Sequence, residues 1–278
     1  MRFLKSLLLL PVLLVAVAAS PQPPPQTPAP GPVRVIGNAD GGCIAGAVRL
    51  PDTAPGLQTI RLGHSSFWGH PDTVAALLDL GRRAQAAGMP DIYMGDLSGP
   101  RGGPLQGGHV SHQMGLDADV YLDLSPRPAL TAAQREALEP PSFVRPDGRD
   151  VVAERWTAQQ TALLRIAVGL PGTDRVLVNA AIKRHLCNTV TGDRAWLRFV
   201  RPWYGHASHM HIHFKCPPSQ PQCPAGPPPP PPGDGCDASL QWWFDLLDHP
   251  APPPAKPAAP RKPPHLPEAC HAIFEAPR

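Results

Sequence analysis

Hydrophobic and polar residues alternate along short segments of the chain, and this period of two predicts β-strands. In LDADVYL, residues 116–122, leucine, alanine and valine alternate with Asp117, Asp119 and a tyrosine. HMHIHF, residues 209–214, repeats the pattern with three histidines on one face and Ile and Phe on the other. A further strand is predicted over DRVLVNAAI, residues 174–182.

Two segments instead have the apolar spacing and end signals of helices. The first begins at Pro71, carries leucines on one side and stops at Gly88. The second has Thr157 and Gln160 spaced as a capping box and ends at Gly169. Because helices and strands do not alternate regularly, the sequence predicts an α+β fold with a small, mostly antiparallel sheet flanked by helices and long loops.

Composition limits the size of the core and the class of partner. The 278 residues are 42% hydrophobic and 17% charged, which suffices for one sizeable core or two small ones. A formal net charge of +3 without any run of Lys and Arg argues against nucleic acid or an anionic membrane surface as a partner.

The ends of the chain differ in composition from its middle. Residues 1–19 have basic residues, an apolar run and small residues in the order of a cleavable signal peptide, so we expect export. Prolines then concentrate in a leader over 20–34, in a loop insertion over 217–232 and in a C-terminal tail over 249–278. Between leader and tail, residues 35–248 form the predicted globular domain, to which Cys270 of the tail is expected to be linked.

The cysteines fit an exported protein. Their number is even, and all follow the predicted signal peptide, which favours three disulfides in an oxidising compartment. Cysteine spacing alone leaves about 15 pairings open. A zinc ribbon is disfavoured because no C-x2-C pair occurs.

Histidines concentrate at two points that share the predicted strands. GGHVSHQMGLDADV, residues 107–120, contains His109, His112 and Asp119, and GHASHMHIHF, residues 205–214, contains four more histidines. Each residue alone is better explained as structural or solvated. If the two strands are neighbours, however, the carboxylate and imidazoles converge in a set that zinc accepts.

The ligand count bears on whether such a site would be catalytic. His109, His112, Asp119 and His211 together would close a zinc site, whereas three of the four leave a position for water. The remaining imidazoles, above all His209, could then accept the proton of that water.

With these motifs identified, the sequence resembles the penicillin-insensitive murein endopeptidase family. This family belongs to a wider group of peptidoglycan-cleaving metallopeptidases that includes lysostaphin-type and D-Ala-D-Ala-type enzymes. The resemblance covers about residues 35–248. It rests on WGHPDTVAALL, GDLSGPRGGP, GGHVSHQMGLDADV, RPWYGHASHMHIHF and the late WWF, in that order. The sequence departs from the family in the polyproline run at 227–232 and in its proline-rich tail.

The resemblance implies roles for individual residues. It implies zinc bound by His112, Asp119 and His211, with His209 as the acid/base histidine and His206 close by. His109 matches a further metal-associated histidine of the family. A second metal position is implied at Asp147 and Asp150 of RPDGRD, although an Asp-Gly turn explains the same residues. The disulfides implied are Cys43–Cys270, Cys187–Cys236 and Cys216–Cys223.

The family also implies an activity, which is hydrolysis of the D-alanyl–meso-diaminopimelyl cross-link between peptidoglycan stem peptides in the periplasm. His206 is the candidate for stabilising the oxyanion. Two alternatives stay open: a D-Ala-D-Ala carboxypeptidase with the same ligand pattern, and a non-catalytic exported protein that binds zinc or the cell wall.

Two features could contribute to substrate binding. Arg101 could bind an acidic stem peptide, but an arginine within a glycine turn is more often structural. Trp203, Trp242 and Trp243 could line a cleft for glycan or peptide, and a place in the core is at least as good an interpretation.

Overall fold

The computed structural model describes residues 25–105, 109–249 and 265–277. The predicted signal peptide, the first part of the leader and most of the proline-rich tail lie outside the described residues. Within these ranges, no helix combines the length and the apolar character needed to cross a membrane.

A seven-stranded sheet forms the centre of the molecule. Its strands are β4 (Thr53–Ala54), β5 (Leu57–Thr59), β7 (Ile92–Met94), β8 (Asp117–Tyr121), β9 (Thr173–Val178), β10 (Val200–Pro202) and β11 (His209–Phe214). They lie in the order β10-β9-β11-β8-β7-β5-β4. Neighbouring strands run antiparallel except β10 with β9 and β5 with β7, so the sheet is mixed and mostly antiparallel.

Two small sheets and the helices complete the α+β fold, as the sequence predicts. The small sheets pair β1 (Arg34–Asn38) with β2 (Gly41–Ala45) and β3 (Val48–Arg49) with β6 (Trp68–Gly69). The helices are α1 (Pro71–Ala86), α2 (Ala132–Glu136), α3 (Ala158–Val168), α4 (Ala180–Thr189), α5 (Ala238–Asp248) and α6 (Ala269–Phe274). Short 3-10 turns cover Leu62–His64 and Ala195–Phe199.

The predicted helix ends are confirmed by hydrogen bonds. Pro71 is the first residue of α1, where its missing N–H costs nothing, and the His70 side chain accepts from the backbone N–H of Asp72. At α3, the capping box of Thr157 and Gln160 is fully formed.

The predicted strand over 174–182 is wrong at its C-terminal end. Strand β9 stops at Val178, and α4 begins at Ala180. The reason is local, because the Asn179 side chain accepts from the Ala181 N–H at 2.9 Å and caps a helix there.

Three disulfides fasten the loops and the C-terminus to this core. The pairs are Cys43–Cys270, Cys187–Cys236 and Cys216–Cys223, as the resemblance implies. The first bond ties α6 to β2, although 227 residues separate its cysteines. Cys216 and Cys223 bracket the first part of the proline-rich loop that follows β11.

Arg101 is a structural residue. Its side chain is 2% exposed and donates to the carbonyl oxygens of Thr27, Ile273, Phe274, Ala276 and Pro277. The guanidinium therefore fixes the end of α6, the residues after it and Thr27 of the leader to the body of the protein, and its donors do not face a substrate.

Candidate metal centre

The register of two central strands brings the two histidine-rich segments together. Strands β8 and β11 pair antiparallel with His211 directly opposite Asp119, His213 opposite Asp117 and His209 opposite Tyr121. Side chains opposite each other on one face of a sheet lie in contact. The convergence predicted for the two segments is therefore present, and His211 Nδ1 lies 3.1 Å from Asp119 Oδ1.

This polar face is buried, whereas the charged face of a strand is usually solvated. Asp117 is fully buried, and Asp119 and His211 are 3% and 4% exposed. The opposite face of β8 carries Ala118 and Val120 into the hydrophobic core. Burial of unpaired carboxylates is costly, so the polar face requires compensating positive charge.

His112 reaches the same spot from the loop before β8. Its Nδ1 donates to the carbonyl oxygen of Leu97 at 2.8 Å, because a carbonyl can only accept. Its Nε2 lies 3.4 Å from Asp119 Oδ1. The backbone of His112 is left-handed, with φ of 69°, a conformation that is uncommon for non-glycine residues and found more often at functional sites.

Glycine is required for this loop to approach its neighbour. Gly115 has φ of +68°, and a Cβ there would lie 2.8 Å from the Cα of Gly69. The Gly115 carbonyl accepts from the His70 N–H at 2.9 Å, which fixes the loop beside the start of α1. A larger residue at Gly115 would displace the loop that carries His112.

Asp119 has zinc-like spacing to each of the two proposed imidazole ligands taken singly. Among the described residues, however, the groups of three donors in mutual reach are His109, His112 and Asp119, and Asp117, His211 and His213. Two donors bound about 2.0–2.1 Å from one tetrahedral zinc ion lie about 3.3 Å apart. Asp119 Oδ1 lies at 3.4 Å from His112 Nε2 and at 3.1 Å from His211 Nδ1. With its proton on Nδ1, neutral His112 turns a lone pair towards the carboxylate, so a proton or a cation must lie between them.

Asp117 also belongs to the site. Strand alternation places it on the same face of β8 as Asp119 but does not show which histidines it contacts. Its Oδ1 lies 2.8 Å from His211 Nε2 and 2.7 Å from His213 Nδ1. A carboxylate on the distal nitrogen of a ligand histidine holds the proton there and leaves Nδ1 free for a metal. Burial acts to lower the pKa of His211, but hydrogen bonds to Asp117 and Asp119 outweigh it and raise that pKa to about 10. Without a metal, Nδ1 therefore keeps a proton and donates it to Asp119, and an ion bound there would take the place of that proton.

Asp96 is a second residue that the sequence did not single out. Its Oδ2 lies 3.2 Å from His109 Nε2, and Ser66 donates to its Oδ1. Burial acts to raise the pKa of Asp96, but the bonds from His109 and Ser66 lower it to about 2. The Asp96 carbonyl also accepts from the Asp119 N–H at 3.0 Å. The signal available in the sequence is the GDLSGP string itself.

His109 lies at the edge of the centre. One nitrogen of His109 and one of His112 lie with an Asp119 oxygen within 4.8 Å of one another. The His109 side chain is 27% exposed, against 2% for His112. His109 can therefore bind an ion beside Asp119 or remain hydrogen-bonded to Asp96.

His209 and His206 line the approach to these donors. His209 Nε2 lies 3.7 Å from Asp119 Oδ1, and the ring centroids of His206 and His209 are 5.1 Å apart. Burial lowers the pKa of His209 despite the nearby carboxylate of Asp119. Its imidazole thus favours the neutral form, which can accept a proton.

The backbone fixes the tautomer of His206. Its Nδ1 donates to the Tyr204 carbonyl at 2.6 Å, so Nε2 carries a proton only in the imidazolium form. Burial, followed by the electrostatic influence of the neighbouring His209, lowers the pKa of His206 to about 4. Stabilisation of an oxyanion by His206 Nε2 would require that disfavoured charged form, so the neutral ring is better suited to accept a hydrogen bond.

Asp147 and Asp150 lie in the turn between Val144 and Val151. Asp147 accepts from the Arg149 N–H at 3.0 Å, and Asp150 lies 3.5 Å from His185 Nδ1. Among the described residues, neither aspartate belongs to a group of three donors close enough to share an ion. Their binding of a second metal stays a prediction.

Comparison with known proteins gives one family. Residues 35–275 match the family model described as penicillin-insensitive murein endopeptidase. A protein of that name from Klebsiella pneumoniae subsp. pneumoniae is 39% identical over 262 residues, which cover 94% of this chain and 93% of the relative. The protein of the same name from Salmonella heidelberg is 39% identical over 265 residues, with the same coverage of each chain.

Proposed function

This chain belongs to the family of penicillin-insensitive murein endopeptidases, and from that membership we propose that it is a zinc-dependent D,D-endopeptidase. Its substrate is cross-linked peptidoglycan, and the bond hydrolysed is the D-alanyl–meso-diaminopimelyl cross-link between stem peptides. The observation that carries the proposal is the position of Asp119, directly opposite His211 and 3.4 Å from the imidazole of His112.

His112, Asp119 and His211 are the proposed zinc ligands. They supply two imidazoles and one carboxylate, a set that leaves one tetrahedral position for water. When bound, zinc supplies a Lewis acid that polarises the scissile carbonyl and lowers the pKa of water to about 7. Asp117 holds the proton on His211 Nε2, so that Nδ1 faces the centre. The charge on Asp117 and Asp119 favours a cation there.

His209 is the proposed general base. Its partly buried imidazole, which favours the neutral form, lies at the rim of the ligand set, with Nε2 close to Asp119. In hydrolysis Nε2 accepts a proton from the attacking water and returns it to the leaving amine of diaminopimelate. His206 Nε2 is free to accept a hydrogen bond, and we assign it to holding a substrate N–H.

Insensitivity to penicillin fits the absence of an acyl-enzyme from this scheme. Ser98 of the GDLSGP string is fully buried, and its hydroxyl donates to the Trp68 carbonyl at 2.7 Å. No S-x-x-K pattern accompanies it. The proposed reaction uses water as the nucleophile, so it requires no serine that a β-lactam could acylate.

We place the protein in the periplasm. The signal-like composition of residues 1–19 and the three disulfides support export into an oxidising compartment. Peptidoglycan lies in that compartment, so enzyme and substrate meet there.

Product analysis on purified cross-linked muropeptide dimers tests the proposed reaction. Release of monomers is the expected result, and His209→Ala is the matched inactive control. Release of free D-alanine with the cross-link intact would instead identify a D-Ala-D-Ala carboxypeptidase. Binding of dimers without any product would identify a non-catalytic wall-binding protein.

A further inference from the structure

Four aromatic side chains form an exposed cluster beside the candidate centre. Trp203 and Tyr204 follow β10, and Trp242 and Trp243 lie on α5. Trp203, Tyr204 and Trp242 are 52%, 61% and 49% exposed. Neighbouring ring centroids within the cluster lie 4.7 to 6.4 Å apart. We call these four residues the aromatic platform. Aromatic surface kept in water is unfavourable, so a contiguous patch points to a ligand.

The platform is held in place by the fold. The Trp203 N–H donates to the Val178 carbonyl at 2.8 Å, and the Asn179 side chain donates to the Gly205 carbonyl at 2.9 Å. The Cys187–Cys236 disulfide ties α4 to the segment that leads into α5. A binding surface that is already ordered loses little conformational entropy when a ligand binds.

The platform is continuous with the proposed catalytic residues. The Tyr204 carbonyl oxygen accepts from His206 Nδ1 at 2.6 Å. The His206 ring centroid lies in turn 5.7 Å from that of His211. The aromatic rings therefore lie within reach of a large substrate bound at the centre.

The chemistry of the platform selects one part of the substrate. None of its four side chains carries a charge, whereas stem peptides carry free carboxylates that call for cations. A pyranose ring is neutral and presents a flat face of C–H groups, which suits the negative face of an aromatic ring. We propose that the aromatic platform binds the β-linked N-acetylated sugars of the glycan strand from which the cleaved stem peptide extends. This inference rests on the proposed function and names a second part of its substrate.

The test compares two dimers with the same cross-link, one carrying its disaccharides and one stripped of them. We expect Trp242→Ala to lower about tenfold the ratio of kcat/KM for the sugar-bearing dimer to kcat/KM for the stripped dimer. Trp242→Phe should retain most of the ratio, because a smaller aromatic face remains. The substitution is made at Trp242 and not at Tyr204, because a change at Tyr204 could shift the carbonyl group that holds His206. Leu247→Ala, an exposed apolar residue of α5 outside the platform, is the matched control and should keep the wild-type ratio.

A binding measurement separates this inference from the proposed reaction. β-1,4-linked N-acetylglucosamine tetramer should quench the tryptophan fluorescence of the wild type and bind about tenfold more weakly to Trp242→Ala, whether or not the protein cleaves dimers. An unchanged ratio together with unchanged tetramer affinity would overturn the inference. Equal losses on both dimers would assign the platform to the peptide instead. A wild type that sediments as a dimer and a Trp242→Ala variant that sediments as a monomer would assign it to self-association.

Discussion

The imidazole of His211 lies between two aspartates of the neighbouring strand, with Nε2 2.8 Å from Asp117 and Nδ1 3.1 Å from Asp119. The two carboxylates have different roles, because only Asp119 also lies beside His112. Asp117 instead shares its Oδ1 with His213. One strand thus provides a proposed metal ligand and, two residues earlier, the group that orients another ligand.

Asp117→Asn is expected to weaken zinc binding by about 10–100-fold while the fold is kept. The amide cannot hold the proton on His211 Nε2 as a carboxylate does, and it removes a negative charge from the centre. Competition with a zinc-sensitive dye measures the affinity. Asp123→Asn, close to the C-terminal end of the same strand, is the control. Equal zinc affinities for wild type and Asp117→Asn would refute the role given to Asp117.

His209→Ala is expected to retain zinc and to lose activity by about 10²–10⁴-fold, because it removes the proposed proton acceptor and no ligand. Zinc content and the rate of dimer cleavage are measured on the same preparation. His271→Ala, on α6, controls for loss of an exposed imidazole. If the His209 variant cleaves dimers at the wild-type rate, the assignment of the base is wrong.

Arg101→Met is expected to lower the free energy of unfolding by about 3 kcal/mol or more, since five carbonyl groups lose a charged donor. Chemical denaturation measures the loss. Arg82→Met, which removes a surface ion pair with Asp79, should cost about 0–1 kcal/mol. A similar small loss in both variants would show that Arg101 does not fix the C-terminal segment.

Because Lys183 is buried, the free energy of unfolding is expected to depend on pH through the titration of this residue. The side chain is fully buried, and burial lowers the pKa of Lys183 to about 8 from 10.5. Between these values the unfolded chain keeps a proton that the folded chain has released, so the contribution of Lys183 to stability rises with pH. The slope is at most about 1.4 kcal/mol per pH unit, and it vanishes below the folded pKa, where both states are protonated.

Urea denaturation between pH 7 and pH 10 measures this slope. Lys183→Met removes the titrating group, so its free energy of unfolding should rise less steeply with pH than that of the wild type above about pH 8. Parallel curves for the two proteins would show that Lys183 does not titrate in this range.

Local patterns predict the elements that carry the site. Strand β11 has the bounds that alternation gives, and the capping box of α3 forms as its spacing indicates. These features depend on neighbouring residues only, which is why the sequence specifies them. The strand predicted over 174–182 fails at Asn179, where a side-chain cap makes helix formation more favourable than extension of the strand.

Long-range contacts cannot be read from alternation. The sequence places Asp117 and Asp119 on one face, but only the antiparallel register shows which histidine each one faces. Asp96 lies just after β7, which pairs with β8 on the side opposite to β11. Its contact with His109 therefore depends on the order of the strands in the sheet. The complete burial of this polar face likewise follows from packing that involves the whole chain.

Zinc titration of the chelated protein tests the central claim most directly. Removal of metal should abolish cleavage of cross-linked dimers, and addition of zinc should restore it, with saturation at about one equivalent in the wild type and no recovery in Asp119→Ala. Cleavage that continues unchanged after removal of metal, or full recovery of the Asp119 variant, would contradict the claim that His112, Asp119 and His211 bind the ion on which hydrolysis depends.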